Sequence, residues 1–156
     1  MIWNSQDLEM YMKAKEYVDT VVMPLLPVSF GEEMKDSASM CETIQLLSFP
    51  LERQFKGRLL MLPGFTYVKE MDEPKLVQHL KEWEDELLKQ DFKFIFYLTA
   101  DSDWRFREDQ LDGTVIWLPM LQLGQLDEKQ RNQILNDQVR QIMKLFVKEW
   151  KKETEV

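Results

Sequence analysis

Short apolar segments rich in β-branched and aromatic residues alternate along this chain with longer segments of helical periodicity. The four short segments, which we predict to be strands, are Thr20–Val28, Arg58–Leu62, Lys93–Leu98 and Thr114–Leu118. Continuous apolar runs of this length are typical of strands covered on both faces, as in a parallel sheet. Periodicity alone does not separate them from buried helical turns, but their length and flanking proline and glycine residues favour strands.

Two helical segments are predicted in the first third of the chain. One covers about 5–18 and begins at Ser5, a residue type that caps helices. The other covers about 34–47, after which Pro50 predicts either a break or a new short helix over 51–56.

Two further helices are predicted in the second half. The sequence Asp72-Glu73-Pro74 is a start signal, and it precedes an apolar stripe of Leu76, Leu80, Trp83 and Leu87. The last helix begins at Asp127, with Gln130 three residues later as in a capping box. Its apolar stripe is Leu135, Val139, Ile142, Phe146 and Trp150.

Strands that alternate with helices predict an α/β fold. We expect a single three-layer domain over 1–156, with a mostly parallel sheet of about four strands and helices on both faces. The connector Ala100–Gly113 has room for only one or two helical turns, so the fourth strand is predicted at an edge of the sheet. Linkers, internal repeats and low-complexity segments are absent from the sequence.

Charge and composition exclude some functions. The net charge is −8 and the sequence pI is about 4.8, so the surface would repel a phosphate backbone and we expect no nucleic-acid partner. No basic N-terminal segment leads into an apolar run, and no apolar stretch approaches the roughly 20 residues of a membrane span. We therefore expect no membrane insertion and a cytoplasmic location. Cys41, the sole cysteine, is predicted to be a small buried hydrophobe.

Five stretches of the chain resemble an uncharacterised family of Bacillus-type bacterial proteins called YpiF-like. The stretches are Ala14–Thr20, Leu51–Arg58, Phe96–Thr99, Trp117–Pro119 and Asp137–Ile142. The resemblance spans most of the chain and implies a cytoplasmic bacterial protein of a family with no assigned activity. It supplies no catalytic motif, so no functional residue is carried over from it.

Known catalytic motifs are absent from the sequence. No glycine-rich loop follows a strand, so neither a dinucleotide fingerprint nor a P-loop is present, and no Gly-x-Ser-x-Gly elbow occurs. His79, the one histidine, lies within a predicted helix and is interpreted as a structural or surface residue. Histidine and cysteine are too few for an ordinary structural zinc site, so no metal ligands are assigned.

In open α/β sheets ligands bind outside the carboxyl ends of the strands. The predicted sheet places four loops at that edge, 27–33, 63–69, 99–107 and 119–125. The first loop offers Ser29, and the second offers Thr66 and Lys69. These three residues are candidates for contact with a ligand or partner.

The third loop is the most polar of the four. It contains Asp101, Asp103, Arg105 and Arg107 directly after an apolar strand. The two carboxylates suit Mg²⁺, and the two arginines suit a phosphate or another anion. The simpler alternative is that Asp101 or Asp103 caps a short helix and that the arginines are solvated or paired with acids.

Trp104 and Phe106, in the same loop, either pack on the core or are exposed anchors for a partner. Two functions stay open at this point. The preferred one is a non-catalytic binding or protein-interaction domain. The alternative is an enzyme or sensor for a small phosphorylated or anionic ligand at the strand ends, with Mg²⁺ as a candidate metal. The sequence assigns no cofactor, and it fits a monomer or a homodimer.

Overall fold

The computed structural model describes residues 1–154, and all four predicted strands are present in it. Two 3₁₀ turns, Ser102–Phe106 and Glu108–Gln110, occupy the predicted connector between the last two strands. In chain order the described helices and strands are α1 (Ser5–Lys13), β1 (Thr20–Val28), α2 (Met34–Gln54), β2 (Leu59–Met61), β3 (Phe65–Val68), α3 (Glu73–Lys89), β4 (Phe94–Thr99), β5 (Thr114–Trp117) and α4 (Glu128–Thr154).

The sheet is parallel throughout, with the order β2-β1-β4-β5, and β3 also pairs with β1. β2 lies beside the first residues of β1 and β3 beside the last ones, so the two short strands extend one edge. The prediction of a loop over 63–69 is therefore wrong for its central residues, because Phe65–Val68 is a strand. β5 lies at the opposite edge, which confirms the prediction of an edge strand.

β1 contains two prolines although it is a central strand. The Leu62 N–H donates to the Val22 carbonyl, so the even-numbered residues of β1 direct their backbone groups toward β2 and β3. Pro24 therefore faces the interval between those two strands, where no ladder bond is lost. Pairing with β4 ends at Leu25, and Pro27 lies beyond it. Both prolines thus occupy positions where a missing N–H is tolerated.

Alternate strand residues pack into two hydrophobic cores, one on each face of the sheet, as the sequence predicts. One core joins the sheet to α1 and α3 and includes Tyr11, Val21, Met23, Leu76, Leu80 and Tyr97. The other joins the sheet to α2 and α4 and includes Val22, Ile44, Leu47, Phe96, Ile142 and Phe146.

α1 differs from its prediction at both ends. Its cap is Asn4 rather than Ser5, and the Asn4 side chain accepts a 2.7 Å hydrogen bond from the Asp7 N–H. The helix ends at Lys13, and a 3₁₀ turn over 15–17 follows it.

α2 continues through Pro50, so the predicted break is wrong. A proline inside a helix costs about 3 kcal/mol. Leu47 and Leu51 lie one turn apart on either side of Pro50, and both are fully buried. Burying each leucine contributes about 2 kcal/mol, so the two together more than offset the cost of the proline.

α3 has the predicted start at Asp72 but a different buried face. Trp83, assigned to the apolar stripe, is 49% exposed, whereas the neighbouring Glu84 is fully buried. Glu84 accepts hydrogen bonds from the Tyr97 hydroxyl (2.8 Å) and from the N–H groups of Asp112 (3.1 Å) and Gly113 (2.7 Å). These hydrogen-bond donors come from outside the helix. They explain why the helix is oriented with Glu84 buried and Trp83 exposed.

α4 begins with the predicted capping box, in which Asp127 and Gln130 exchange backbone and side-chain hydrogen bonds. Near its end, Trp150 donates a 3.0 Å hydrogen bond to Thr20 at the start of β1. The Arg58 guanidinium stacks 3.9 Å from the centre of the Trp150 ring. No helix within residues 1–154 combines the length and apolar character that a membrane crossing needs.

Candidate functional site

Asp101, the first polar residue after β4, is almost completely buried, with 1% of its surface exposed. Its backbone N–H donates to Thr99 Oγ1 at 3.0 Å, and its Oδ1 accepts the Asp103 N–H at 3.1 Å. Asp101 is thus the cap of the turn Ser102–Phe106. The capping role predicted for Asp101 or Asp103 is confirmed for Asp101, and Asp103 is exposed.

Tyr67 and Trp104 complete the surroundings of Asp101. The Tyr67 hydroxyl donates to Asp101 Oδ2 at 2.6 Å and accepts from Trp104 Nε1 at 2.7 Å. The two rings meet edge to face, with centroids 5.6 Å apart. Burial, and next the Asp101 charge, raise the pKa of the Tyr67 phenol far above its usual value. Trp104 has no exposed surface, so it packs in the core and is not itself an exposed anchor.

Arg107 lies over the other side of this cluster. Its guanidinium is 4.5 Å from the centre of the Trp104 ring, and its Nε donates a 2.6 Å hydrogen bond to Glu73 Oε1. The side chain is 8% exposed, and its buried Nη1 has no hydrogen-bond partner within residues 1–154. Arg107 is therefore buried and paired with the half-exposed Glu73, and its guanidinium is not presented to solvent.

Three further candidates at this edge, Ser29, Lys69 and Arg105, also contact other side chains of the protein. The buried Ser29 hydroxyl donates a 2.5 Å hydrogen bond to Glu70, and this bond is the first cause of a lowered pKa for the Glu70 carboxyl. Lys69 Nζ lies 3.6 Å from Glu33. Arg105 is exposed, but its guanidinium stacks 4.1 Å from the centre of the Trp117 ring. Thr66 lies in β3 with an exposed side chain.

The candidate residues therefore do not converge as a group. Arg107 and Lys69 each pair with a different glutamate, and Arg105 lies on Trp117. Within residues 1–154 no three histidine, cysteine, aspartate or glutamate side chains form a group suited to a metal ion. The Asp101 carboxylate, moreover, already accepts two hydrogen bonds. Cys41, half-buried, donates from Sγ to the Pro27 carbonyl at 3.1 Å, and burial raises the pKa of its thiol.

The loops at this edge also present apolar side chains to solvent. We use the name carboxyl-edge surface for five exposed hydrophobic residues at the end of β3 and on the segments that follow β1, β3 and β4. They are Phe30 (72% exposed), Met34 (51%), Val68 (37%), Met71 (37%) and Phe106 (76%). The sequence analysis missed four of them; the signal was Phe30 and Met34 at helical spacing among glutamates directly after a strand.

Strand pairing and three side-chain contacts connect these segments. β1 and β3 pair as far as Val28 and Val68, and the bonds Ser29–Glu70 and Lys69–Glu33 join the segments beyond. The Arg107–Glu73 pair joins the segment after β4 to the start of α3. The carboxyl-edge surface is thus carried by loops that are held to one another.

The segments that carry this surface are rich in acidic residues. The segments 30–36, 68–75 and 101–109 contain five basic residues and ten acidic ones, namely Glu32, Glu33, Asp36, Glu70, Asp72, Glu73, Asp101, Asp103, Glu108 and Asp109. Five of the eight net negative charges of the chain therefore lie in these three segments.

The fold and this edge define an α/β protein with an open parallel sheet, in which several polar strand-end residues are bonded internally and the loops expose apolar side chains. The chain belongs to the family described as "Protein of unknown function (DUF2487)", which it matches over residues 9–150. It is similar to the uncharacterized protein YpiF of Bacillus subtilis (strain 168), with 36% identity over 150 residues, which cover 96% of this chain and 98% of that protein. The YpiF-like resemblance is confirmed. No solved structure matches the chain.

Proposed function

We propose that this protein is a non-catalytic interaction domain, acting in the cytoplasm, that binds a basic amphipathic segment of a partner protein at the carboxyl-edge surface. The observation that carries the proposal is the high exposure of Phe30 and Phe106 on linked loops that are rich in carboxylates. Exposed apolar groups that are surrounded by polar residues mark interaction sites in many soluble proteins.

The two phenylalanines are suited to be anchors. Aromatic side chains are enriched among the few residues that supply most of the free energy of binding at an interface. Phe30 and Phe106 are 72% and 76% exposed, so burial against a partner would remove most of each ring from water. Burying a phenylalanine side chain contributes about 2 kcal/mol.

The surrounding charge indicates the chemistry of the partner. A site with twice as many acidic as basic residues attracts a positively charged segment and speeds its association, and it disfavours an acidic one. A helix or strand with lysine or arginine on one face and apolar side chains on the other fits both features of the surface.

Internal pairing at this edge supports interaction over catalysis. The alternative, an enzyme or sensor for an anionic ligand held by Arg105, Arg107 and Lys69, needs these cations to face one site. Arg107 pairs with Glu73 and Lys69 with Glu33 instead. The pairing therefore favours the interaction proposal for these loops.

Site-directed photo-crosslinking in the native cell tests the proposal. Benzoyl-phenylalanine replaces Phe30 in one variant and Phe106 in another, because it retains the aromatic ring. Trp83, 49% exposed on α3, is replaced in the control variant. We expect cross-links from positions 30 and 106 to one partner, and the cross-linked peptide should be basic and amphipathic.

Raising the salt concentration should weaken capture of this partner, because exposed charges are screened. Cross-linking from positions 30 and 106 no stronger than from position 83 would contradict the proposal. An acidic cross-linked peptide would contradict it as well.

A further inference from the structure

A cleft of about 620 Å³ lies between α2 and the segment that leads from β5 into α4. We propose that this cleft binds a small molecule with an anionic head group, a carboxylate or a phosphate, between Lys35 and Arg131. The cleft is formed by residues other than those of the carboxyl-edge surface, so the inference does not depend on the proposed function.

The cleft is built by α2 and by the loop 119–125, the fourth strand-end loop identified from the sequence. The Leu121 N–H donates a 3.0 Å hydrogen bond to Thr43 Oγ1 on α2, which fixes the loop across the helix. Leu123 is 7% exposed and anchors the same loop. α2 and α4 both begin at this end of the sheet, where the positive ends of their dipoles favour an anion.

Two cations line the cleft without a partner. Lys35, in the first turn of α2, and Arg131, in the first turns of α4, make no ion pair or side-chain hydrogen bond with the described part of the chain. In contrast, Lys69 and Arg107 are both paired with glutamates. Lys35 and Arg131 bring two positive charges to the lining of the cleft and Glu42 brings one negative charge, so the lining carries a net positive charge in a chain that is acidic as a whole.

The neighbouring side chains supply further hydrogen-bonding groups. Ser39 lies one helical turn after Lys35 on the same face of α2, and its hydroxyl has no partner within residues 1–154. An ammonium, a guanidinium and a hydroxyl together match the oxygens of a carboxylate or phosphate. Glu42 also lines the cleft and is suited to accept a hydrogen bond from an amine or hydroxyl of the same ligand.

The size and position of the cleft agree with this chemistry. Clefts of roughly 300–1,000 Å³ hold small-molecule ligands. Ligands of open α/β sheets bind beyond the carboxyl ends of the strands, which is where α2 begins and β5 ends. The ligand class is therefore a metabolite-sized anion that also carries hydroxyl or amino groups.

Calorimetric titration with inorganic phosphate and, separately, with citrate tests this inference, because the two probes distinguish a phosphate from a carboxylate head group. We expect saturable binding of at least one probe to the wild-type protein. Lys35→Gln and Arg131→Gln should each weaken binding by roughly tenfold or more, since each removes a charged donor. Both side chains lie on the surface of the cleft, so the variants should retain the circular dichroism spectrum of the wild type.

The controls are Lys81→Gln and Arg53→Gln, made separately, each of which removes one positive charge from an exposed position outside the cleft. The affinity of each control should equal that of the wild type, and amide resonances of 35–43 and 121–131 of the wild type should shift on titration. No saturable binding of either probe, or equal loss of binding in the controls, overturns the inference. Neither result bears on cross-linking at Phe30 and Phe106, so the two proposals fail independently.

Discussion

The hydroxyl of Tyr67 donates a 2.6 Å hydrogen bond to Oδ2 of Asp101, and the two residues are 34 positions apart in the chain. This bond joins β3 to the end of β4, across the end of β1 that lies between them. The same hydroxyl accepts the Trp104 Nε1–H, so one buried oxygen connects a strand, a helix cap and an aromatic ring of the core. The turn that carries Phe106 is held in place through this connection.

Removing the Tyr67 hydroxyl should therefore destabilise the fold. Tyr67→Phe leaves a buried carboxylate oxygen of Asp101 and the indole N–H of Trp104 without their partner. We expect a loss of about 2 kcal/mol in the free energy of unfolding, the usual effect of leaving buried polar groups unsatisfied. Urea denaturation followed by tryptophan fluorescence and circular dichroism measures this loss. Tyr17→Phe is the matched control, because Tyr17 is 69% exposed; equal stability of the two variants would show that the bond contributes nothing.

Glu84 is expected to be more sensitive than any exposed glutamate. In Glu84→Gln the amide nitrogen must face one of the three donors that the carboxylate now accepts, from Tyr97, Asp112 and Gly113. We expect a loss of about 3 kcal/mol, since these hydrogen bonds are buried and made to a charged group. The same denaturation experiment on Glu82→Gln, an exposed neighbour, provides the control. A difference between the two variants below about 1 kcal/mol would contradict the assigned role.

Stability should fall at alkaline pH because of the two buried phenols. Burial first, and then the charges of Asp101 and Glu84, raise the pKa of Tyr67 and of Tyr97 well above the usual 10.0. The unfolded chain therefore loses these protons at a lower pH than the folded protein does. The stability that they contribute is fully present below about pH 10 and decreases as the pH rises further.

Each phenol should contribute up to about 1.4 kcal/mol per pH unit to this decrease. Urea denaturation at intervals between about pH 9 and about pH 11 gives the slope. Tyr97→Phe should show a shallower slope than the wild type, because one of the two groups has been removed. Parallel slopes would mean that Tyr97 ionises equally easily in the folded protein.

Glu108 should protect the free edge of the sheet. The Leu118 N–H donates to the Thr99 carbonyl of β4. Because backbone groups alternate in direction along a strand, Val115, three residues earlier, directs its N–H away from β4. The Glu108 carboxylate accepts this N–H at 2.6 Å. Glu108→Ala would leave this edge donor free to pair with another chain. We expect concentration-dependent association of the variant in sedimentation velocity experiments. Asp109→Ala removes the same charge from an exposed neighbour and should sediment as the wild type does. Association of both variants would show that the loss of a negative charge, and not the loss of the hydrogen bond to Val115, causes the association.

Local patterns in the sequence determined much of this fold. Thr20–Val28 is a strand with the bounds that its apolar run predicts, and Asp127 and Gln130 form the predicted capping box. Asp101 caps the turn that follows it, as its position after a strand indicates. These features depend on groups a few residues apart, so their physical cause is contained in a short stretch of sequence.

Tertiary contacts decided the features that the sequence analysis predicted wrongly or missed. α2 continues through Pro50 because Leu47 and Leu51 are both buried against the sheet. Phe65–Val68 is a strand because it meets the free edge of the second half of β1. Glu84 is buried instead of Trp83 because its three donors come from β4 and from the turn before β5.

The candidate site follows the same division. The sequence alone identified the strand-end loops and the polar residues of 99–107, because a βα pattern places those loops at one edge. It did not show that Arg107 pairs with Glu73 or that Tyr67 binds Asp101, since each pair joins residues 34 positions apart. Nor did it show that Lys35 and Arg131 line one cleft, because they lie almost a hundred residues apart on different helices. Pairing over such separations is determined by strand order and helix packing, and only the tertiary structure decides these.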